Sequence, residues 1–255
     1  MRLTSGRNSA FHINASVMVF KDAHELAQGA AGYILSAIEQ TLTKQDRYSL
    51  VLSGGSTPKA IYALLGQPPL IGRVPWSRVH FFWGDERCVP PDHADSNYKM
   101  AFETLLARLS LPPQNIHRIL GEIPPEEAAA AYESAIAEFF GEKNKPPRFD
   151  LILLGMGEDG HTASLFPGSP ALGETRRWVA AVVHNQPPVP LVNRVTMTFP
   201  LINAARGLAV IVSGAAKAGV VRQALSEGET PKLPVQRVNP QEGEQVWLLD
   251  KAAAL

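Results

Sequence analysis

The chain has 255 residues, with 24 lysines and arginines against 24 aspartates and glutamates, so its formal net charge is zero. A neutral chain has no basic field to hold nucleic acid or an anionic membrane. The length suits one large α/β domain, and we expect a single domain over residues 1–255. Cys88 is the only cysteine, which excludes an intramolecular disulfide. With no signal-peptide pattern and no membrane-length apolar stretch, we expect a cytoplasmic protein.

Eight short runs rich in β-branched, aromatic and other apolar residues are predicted to be strands. Several are apolar throughout, which is typical of strands that are covered on both faces. In chain order they span residues 15–20, 48–53, 78–84, 149–156, 178–184, 194–199, 208–213 and 245–250.

Helical patterns lie between these runs, and the strongest is the alanine- and glutamate-rich segment 125–140. The alternation indicates an α/β fold with a doubly wound, mainly parallel sheet flanked by helices. The runs within 178–199, separated by a proline-rich segment, indicate a small antiparallel excursion or subdomain. The predicted helices are 22–43, 58–65, 97–109, 125–140, 200–206 and 215–227.

Four loops that follow predicted strands carry unusual residues. In doubly wound sheets the ligand binds outside the carboxyl ends of the strands, so we expect these loops to lie together. They read SGGSTPK (53–59), GDERCVPPDHADSNY (84–98), GEDGHTASLFPGS (157–169) and SGAAK (213–217).

The first of these loops leads into a predicted helix through Gly54 and Gly55, with Ser56 or Thr57 as the expected N-cap. Backbone N–H groups at such a helix start suit a phosphate or a carboxylate. An ordinary strand-to-helix turn uses the same residue types, so the sequence leaves both interpretations open. The spacing of a P-loop is missing.

The last loop repeats this arrangement, with Ser213 as the expected cap and Lys217 within about the first turn. A cation at this end of a helix is mildly unfavourable unless an anion lies nearby. The alternative is an exposed lysine that extends into water.

The second loop collects six charged or titratable side chains: Asp85, Glu86, Arg87, Asp92, His93 and Asp95. Carboxylates and a histidine this close could bind a metal, but the spacing matches no EF-hand or H-E-x-x-H pattern, and we expect no metal. Asp95 or Ser96 is expected to cap the helix 97–109. Arg87 offers a planar fork for phosphate or carboxylate, and Cys88 is interpreted as a reduced structural thiol.

Gly155, Gly157 and Gly160 match the G-x-G-x-x-G pattern of a dinucleotide-binding loop. That pattern must lead into a full helix and needs an acidic residue about 20 positions on, at the end of the next strand. Here Pro167 follows closely, and the next predicted strand ends at His184 without an acid. The sequence therefore argues against a nucleotide.

His161 is the residue of the third loop best suited to chemistry. A histidine acts as a general base near neutral pH, and a carboxylate such as Asp159 can set its tautomer. The alternative is a histidine that only holds the shape of a glycine-rich turn.

Together, the loops resemble the 6-phosphogluconolactonase family, which is related to the glucosamine-6-phosphate isomerases and deaminases. The likeness covers about residues 17–250. The matching stretches are LSGGSTP, FFWGDERCVPPDHADSNY, DLILLGMGEDGHTASLFPGS, NRVTMTFPLINAA and VSGAAKA.

The resemblance implies hydrolysis of 6-phospho-D-glucono-1,5-lactone to 6-phospho-D-gluconate in the oxidative pentose phosphate pathway, without a cofactor. It makes His161 the base that activates water, and Asp85 and Asp159 are further candidate catalytic residues. The expected partner is a small sugar phosphate, bound by a monomer or a small homo-oligomer. The residues that would surround the phosphate and the rest of the substrate are Gly54, Gly55, Ser56, Thr57, Arg87, Arg194 and Lys217.

Two departures separate this chain from the deaminase branch. The deaminase loop reads D-G-H-x-A-F-N-E-P, and Phe166 stands where its glutamate assists ring opening. Deaminases also carry D-E-Y where this chain has Asp85-Glu86-Arg87, and Asp85 stays a candidate for orienting substrate or water. Both changes favour the lactonase. An aminosugar-phosphate isomerase or deaminase and a non-catalytic sugar-phosphate sensor are the alternatives, since a fold does not determine a function.

Overall fold

The computed structural model describes residues 15–226 and 231–255, which contain nine strands and six α-helices. The strands are β1 (Ser16–Phe20), β2 (Tyr48–Leu52), β3 (Val79–Trp83), β4 (Asp85–Arg87), β5 (Leu151–Leu154), β6 (Val179–Val182), β7 (Arg194–Met197), β8 (Gly207–Val212) and β9 (Glu244–Asp250). The helices are α1 (Ala23–Leu42), α2 (Ser56–Leu65), α3 (Asn97–Thr104), α4 (Pro125–Phe140), α5 (Phe199–Ile202) and α6 (Ala218–Leu225).

Six of the strands form a parallel sheet in the order β1-β9-β8-β5-β2-β3. Each neighbouring pair in this sheet is parallel, which confirms the predicted architecture. The central strands β2 and β5 are buried at every residue, and this explains why both are apolar runs without alternation. α1 contributes its own apolar stripe to the core, including Leu26, Ile34 and Ile38.

The remaining three strands form a small antiparallel sheet in the order β4-β7-β6. The pairing of β6 with β7 confirms the antiparallel excursion predicted near 178–199. The sequence did not predict β4, because its three residues are all charged and carry no apolar pattern. Hydrogen bonds to β7 stabilise these three residues as a strand, although the sequence predicted a loop there.

The predicted helices all occur, but three of them are shorter than expected, and α5 ends at Ile202 rather than at residue 206. α3 ends at Thr104, and a separate 3-10 turn over Leu106–Arg108 follows it. α6 starts at Ala218, after a 3-10 turn over Ala215–Lys217. The prediction 215–227 also included residue 227, which lies outside the described residues.

The cap predicted for α2 is wrong. Gly55 is the N-cap with φ +106°, and no side chain caps this helix end. The sharp turn from β2 into α2 requires a left-handed backbone, which glycine adopts without strain. Ser56 and Thr57 are therefore the first helical residues, and their N–H groups have no acceptor within the helix.

The cap predicted before Lys217 is also wrong. Ser213 donates its hydroxyl to Asp250, and Gly214 precedes the 3-10 turn. In contrast, Ser96 caps α3 as expected, since its side chain accepts a hydrogen bond from the N–H of Lys99.

The strand order places a switch point between β2 and β5. The chain leaves β2 towards β3 on one side, and it leaves β5 towards β8 on the other side. The two connections diverge and leave a crevice at the carboxyl ends of these neighbouring strands, where doubly wound sheets bind ligands. Separately, none of the described helices has the length and apolarity needed to cross a membrane.

Candidate active site

A cavity of about 230 Å³ occupies the crevice between β2 and β5. The loops after these strands, the start of β4 and the turn after β8 all contribute to its wall. Predicted site residues that line it are Gly54, Gly55, Asp85, Arg87, His161 and Lys217. Ser56 and Thr57 are the first residues of α2, next to Gly55. Asp159 forms a hydrogen bond with His161, and Arg194 pairs with Arg87, but neither lines the cavity.

His161 and Asp159 form a hydrogen-bonded pair at the end of β5. The imidazole Nδ1 lies 2.6 Å from Oδ1 of Asp159, and the backbone N–H of His161 donates to the same oxygen at 3.1 Å. Burial raises the pKa of Asp159, but these hydrogen bonds outweigh it and hold the pKa below its usual value. Because an ionised carboxylate only accepts, Nδ1 carries the hydrogen, and Nε2 is the nitrogen that can take a proton.

Gly157 provides the space in which the imidazole lies. Its N–H donates to the carbonyl of His161 at 2.9 Å, which closes the turn. A Cβ at this position would collide with Nδ1 and Cε1 of the ring and would also approach Oδ1 of Asp159. Ala163, two residues beyond the histidine, has φ +48°, an uncommon conformation for a residue with a side chain. Such strain often occurs at functional sites.

Asp85 is held by two residues that the sequence analysis did not single out. Ser164 donates its hydroxyl to Oδ2 of Asp85 at 2.6 Å, and Asn97 donates its amide to the Asp85 carbonyl at 2.9 Å. Ser164 lies three residues after His161 in the third loop, so its place in the motif was the available signal. The position of Asn97 depends on tertiary contacts, and no local pattern reveals it.

Glu86 is buried and anchors the start of α3 to β4. Its carboxylate accepts backbone N–H groups from Arg87, Asn97 and Tyr98 at 2.7–2.8 Å. Burial raises the pKa of Glu86, and the three hydrogen bonds offset only part of that rise. This contact brings Asn97 to the cavity and fixes the backbone that carries Arg87.

Arg87 and Arg194 bring two guanidinium groups to the same side of the site. They are paired residues on β4 and β7, and Arg194 is only 3% exposed. Nη2 of Arg194 donates to the carbonyl of Pro190 at 2.7 Å, whereas its Nη1 has no partner among the described residues. Burial, and next the charge of Arg87, lower the pKa of Arg194. Two adjacent cations with unused donors suit an anion.

Lys217 supplies a third cation from the turn after β8. Its Nζ donates to the carbonyl of Met156 at 2.6 Å, so it reaches across to the end of β5. Burial lowers the pKa of Lys217, and the nearby charge of Glu158 opposes this. The side chain therefore lies in the cavity wall rather than extending into water.

A metal site, a cysteine nucleophile and a dinucleotide-binding loop receive no support from the geometry. Within residues 15–226 and 231–255, no three His, Cys, Asp or Glu side chains are grouped to hold a metal ion. Burial raises the pKa of Cys88 to about 11, so its thiol is protonated near neutral pH and is a poor nucleophile. β5 continues into a loop and the 3-10 turn Pro170–Gly173, which confirms that no full helix follows the glycine pattern.

The fold and the site define an α/β protein with a histidine–carboxylate pair and an anion-binding wall at the switch point of its sheet. The family model described as glucosamine-6-phosphate isomerases/6-phosphogluconolactonase matches residues 21–247. The chain belongs to this family.

Curated relatives and solved structures agree with this assignment. The chain is 39% identical over 246 residues to a probable 6-phosphogluconolactonase 4, chloroplastic, of Oryza sativa subsp. indica, covering 93% of this chain and 75% of the rice protein. It is 40% identical over 231 residues to a 6-phosphogluconolactonase of Synechocystis sp., covering 89% and 92% of the two chains. The structure of 6-phosphogluconolactonase from Trypanosoma cruzi superposes with a TM-score of 0.85 at 34% identity, covering 96% of this chain and 98% of the other.

Proposed function

We propose that this protein hydrolyses 6-phospho-D-glucono-1,5-lactone to 6-phospho-D-gluconate in the oxidative pentose phosphate pathway, with His161 as the general base. The observation that carries the proposal is the His161–Asp159 pair, whose histidine lines a cavity whose wall also supplies cations. Relatives that are 39–40% identical to this chain over the aligned residues are named for the same reaction.

The phosphate of the substrate is bound by the cationic side of the cavity. Arg87 and Lys217 line it, and Arg194, which pairs with Arg87, adds positive charge and retains an unused donor. Gly54 and Gly55 line the cavity beside the start of α2, where Ser56 and Thr57 offer free N–H groups. These contacts hold the lactone so that its C1 lies near His161, which lowers the entropic cost of the reaction.

Hydrolysis proceeds by attack of water on C1. Nε2 of His161 takes a proton from the water as its oxygen forms a bond to C1, and the ionised Asp159 stabilises the imidazolium. N–H groups or a cation in the cavity stabilise the developing oxyanion. The bond from C1 to the ring oxygen then breaks, and the imidazolium returns its proton to that oxygen. Asp85, held by Ser164, orients the substrate or the water.

The test is a coupled assay in which a dehydrogenase generates the lactone from glucose 6-phosphate and the formation of 6-phosphogluconate is followed, with spontaneous hydrolysis subtracted. Catalytic amounts of the protein should accelerate the reaction. His161→Ala should lower kcat by about 10²-fold or more and leave binding of 6-phosphogluconate largely intact. His24→Ala, at an exposed position on α1, is the matched control and should retain full activity.

An unaccelerated reaction with the native protein would contradict the proposal. Ammonia release from glucosamine 6-phosphate would then indicate the deaminase, although Phe166 stands where that branch has its acid. Binding of the phosphosugar without turnover would indicate a sensor. Unchanged kcat in His161→Ala would remove this residue from the mechanism. The single domain over residues 1–255, the independence from a cofactor, the monomeric or small homo-oligomeric state and the cytoplasmic location stay predictions.

A further inference from the structure

The imidazole of His161 is packed against a second aromatic ring. Its Nδ1 edge contacts Asp159, and its face lies against Phe166, with ring centroids 4.6 Å apart and planes inclined by 46°. The hydrogen bond to Asp159 alone permits the imidazole to rock about the Nδ1–Oδ1 axis. The phenyl ring restricts this movement, because an aromatic side chain in contact removes the space for it.

Phe166 is itself held by a further ring behind it. The imidazole of His184 stacks on the phenyl ring with centroids 4.3 Å apart and an angle of 21° between the planes. His184 is only 6% exposed, and its Nε2 lies 2.6 Å from the carbonyl oxygen of Pro188. A carbonyl only accepts, so Nε2 carries a hydrogen and the orientation of this ring is fixed.

A second cavity, of about 320 Å³, lies on the outer side of this stack. Asp159, Phe166 and His184 line this cavity, whereas His161 lines the substrate cavity. The phenyl ring therefore occupies the space into which the imidazole would otherwise turn. With a small side chain at position 166, the His161 imidazole could turn into the second cavity. Its Nε2 would then no longer face the substrate cavity.

We propose that Phe166 and His184 are positioning residues that hold the His161 imidazole in the orientation needed for catalysis. Neither side chain lines the substrate cavity, so both act through His161. The inference rests on the proposed lactone hydrolysis and extends it to residues for which no role has been stated.

The test compares Phe166→Ala and Phe166→Leu with the native protein in the lactonase assay. Phe166→Ala should lower kcat by about 10–100-fold, because small displacements of a catalytic group cost about this much. KM should change by less than about twofold, because the phosphate contacts are untouched. Phe166→Leu, which retains most of the apolar volume, should recover a large part of kcat. Phe102→Ala removes a partly exposed phenylalanine of α3 that does not line the cavity, and it should behave as the native protein.

A spectroscopic measurement separates this inference from the proposed function. In NMR spectra, the ring signals of His161 should be sharp in the native protein, and in Phe166→Ala and His184→Ala they should shift or broaden because the ring samples several orientations about its hydrogen bond to Asp159. This readout needs no substrate, so it tests the positioning even if the native protein does not hydrolyse the lactone. Unchanged kcat and an unchanged His161 signal in a folded Phe166→Ala protein, or in His184→Ala where Phe166→Ala does not fold, would overturn the proposal. A rise in KM at constant kcat would also overturn it, because Phe166 would then contact the substrate.

Discussion

Arg87 and Arg194 lie directly opposite each other in the antiparallel pair formed by β4 and β7. Like charges in cross-strand pairs repel each other, and here one partner is almost fully buried. This unfavourable pair lies beside the substrate cavity, which Arg87 lines. A bound anion would neutralise both groups, so the site is better matched to a phosphorylated ligand than to the empty state.

The first prediction concerns the contribution of Arg194 to ligand binding. 6-Phosphogluconate should raise the Tm of the native protein, because a ligand that binds only the folded state stabilises it. Arg194→Met should lose most of this rise. The stability of the free variant should stay within about 1 kcal/mol of the native value, because an apolar side chain of similar length relieves a buried charge. Thermal unfolding with and without ligand measures both effects. Arg176→Met, at an exposed arginine, is the control, and an undiminished rise in Arg194→Met would contradict the prediction.

The second prediction concerns Asp159. In Asp159→Asn the side-chain amide can donate to Nδ1 of His161, which moves the hydrogen to Nε2 and blocks proton uptake there. We expect kcat to fall by roughly 10²-fold or more with little change in KM. Steady-state kinetics over a range of lactone concentrations measure both constants. Full activity in this variant would show that the carboxylate does not set the tautomer.

The third prediction concerns the space that Gly157 leaves for the His161 imidazole. Gly157→Ala should displace His161, since the added Cβ meets the ring, and kcat should fall by about 10²-fold while the protein stays folded. Gly219→Ala is the matched control, because a Cβ at that glycine of α6 meets nothing within 4 Å. It should keep full activity and gain about 0.4–1 kcal/mol of stability. Kinetics and circular dichroism distinguish the two variants, and equal activity in both would refute the steric argument.

The fourth prediction concerns stability in acid and a site remote from the cavity. His117 packs flat on Phe82, and its Nε2 lies 3.2 Å from Nδ1 of His80. Burial, followed by the neighbouring charges of His80 and Arg47, lowers the pKa of His117 from 6.5 to about 4. Because the unfolded chain takes up the proton first, the free energy of unfolding should fall as the pH drops from about 6.5 to about 4.

His117→Phe should remove about 1–2 kcal/mol of this fall, a figure reduced for the partial exposure of the ring. The pKa of His80 is also lowered, chiefly by burial, so some dependence on pH should remain. Urea unfolding at neutral pH and near pH 4 measures the difference. A variant with the native pH dependence would show that His117 does not control it.

The sequence predicted the parts of the fold that depend on local pattern. The buried runs of β2 and β5 and the helix 125–140 could be identified because their apolar residues recur over many positions. β4 could not be identified, because it consists of charged residues and exists only through its pairing with β7. The buried state of Glu86 likewise depends on N–H groups that α3 presents to it.

Some residues of the candidate site could likewise be predicted from the sequence, and others could not. The grouping of the four loops followed from the topology of parallel sheets, and His161 with Asp159 followed from their spacing in one turn. Arg194 came only from the family resemblance, since its position beside Arg87 requires knowledge of strand pairing. The contact of Ser164 with Asp85 and the stack of Phe166 on His184 could not be predicted, because they depend on how side chains from separate segments pack.

The segment between β6 and β7 supports two parts of the site at once. The carbonyl of Pro188 accepts from the His184 ring, and the carbonyl of Pro190 accepts from Arg194. Both contacts use main-chain oxygens, so what matters at residues 188 and 190 is the path of the backbone. A change in the length of this segment would therefore alter the position of the His184 ring, which supports Phe166 and His161, and also that of the Arg194 guanidinium. Under the roles proposed above, this segment would couple turnover to affinity through its backbone alone.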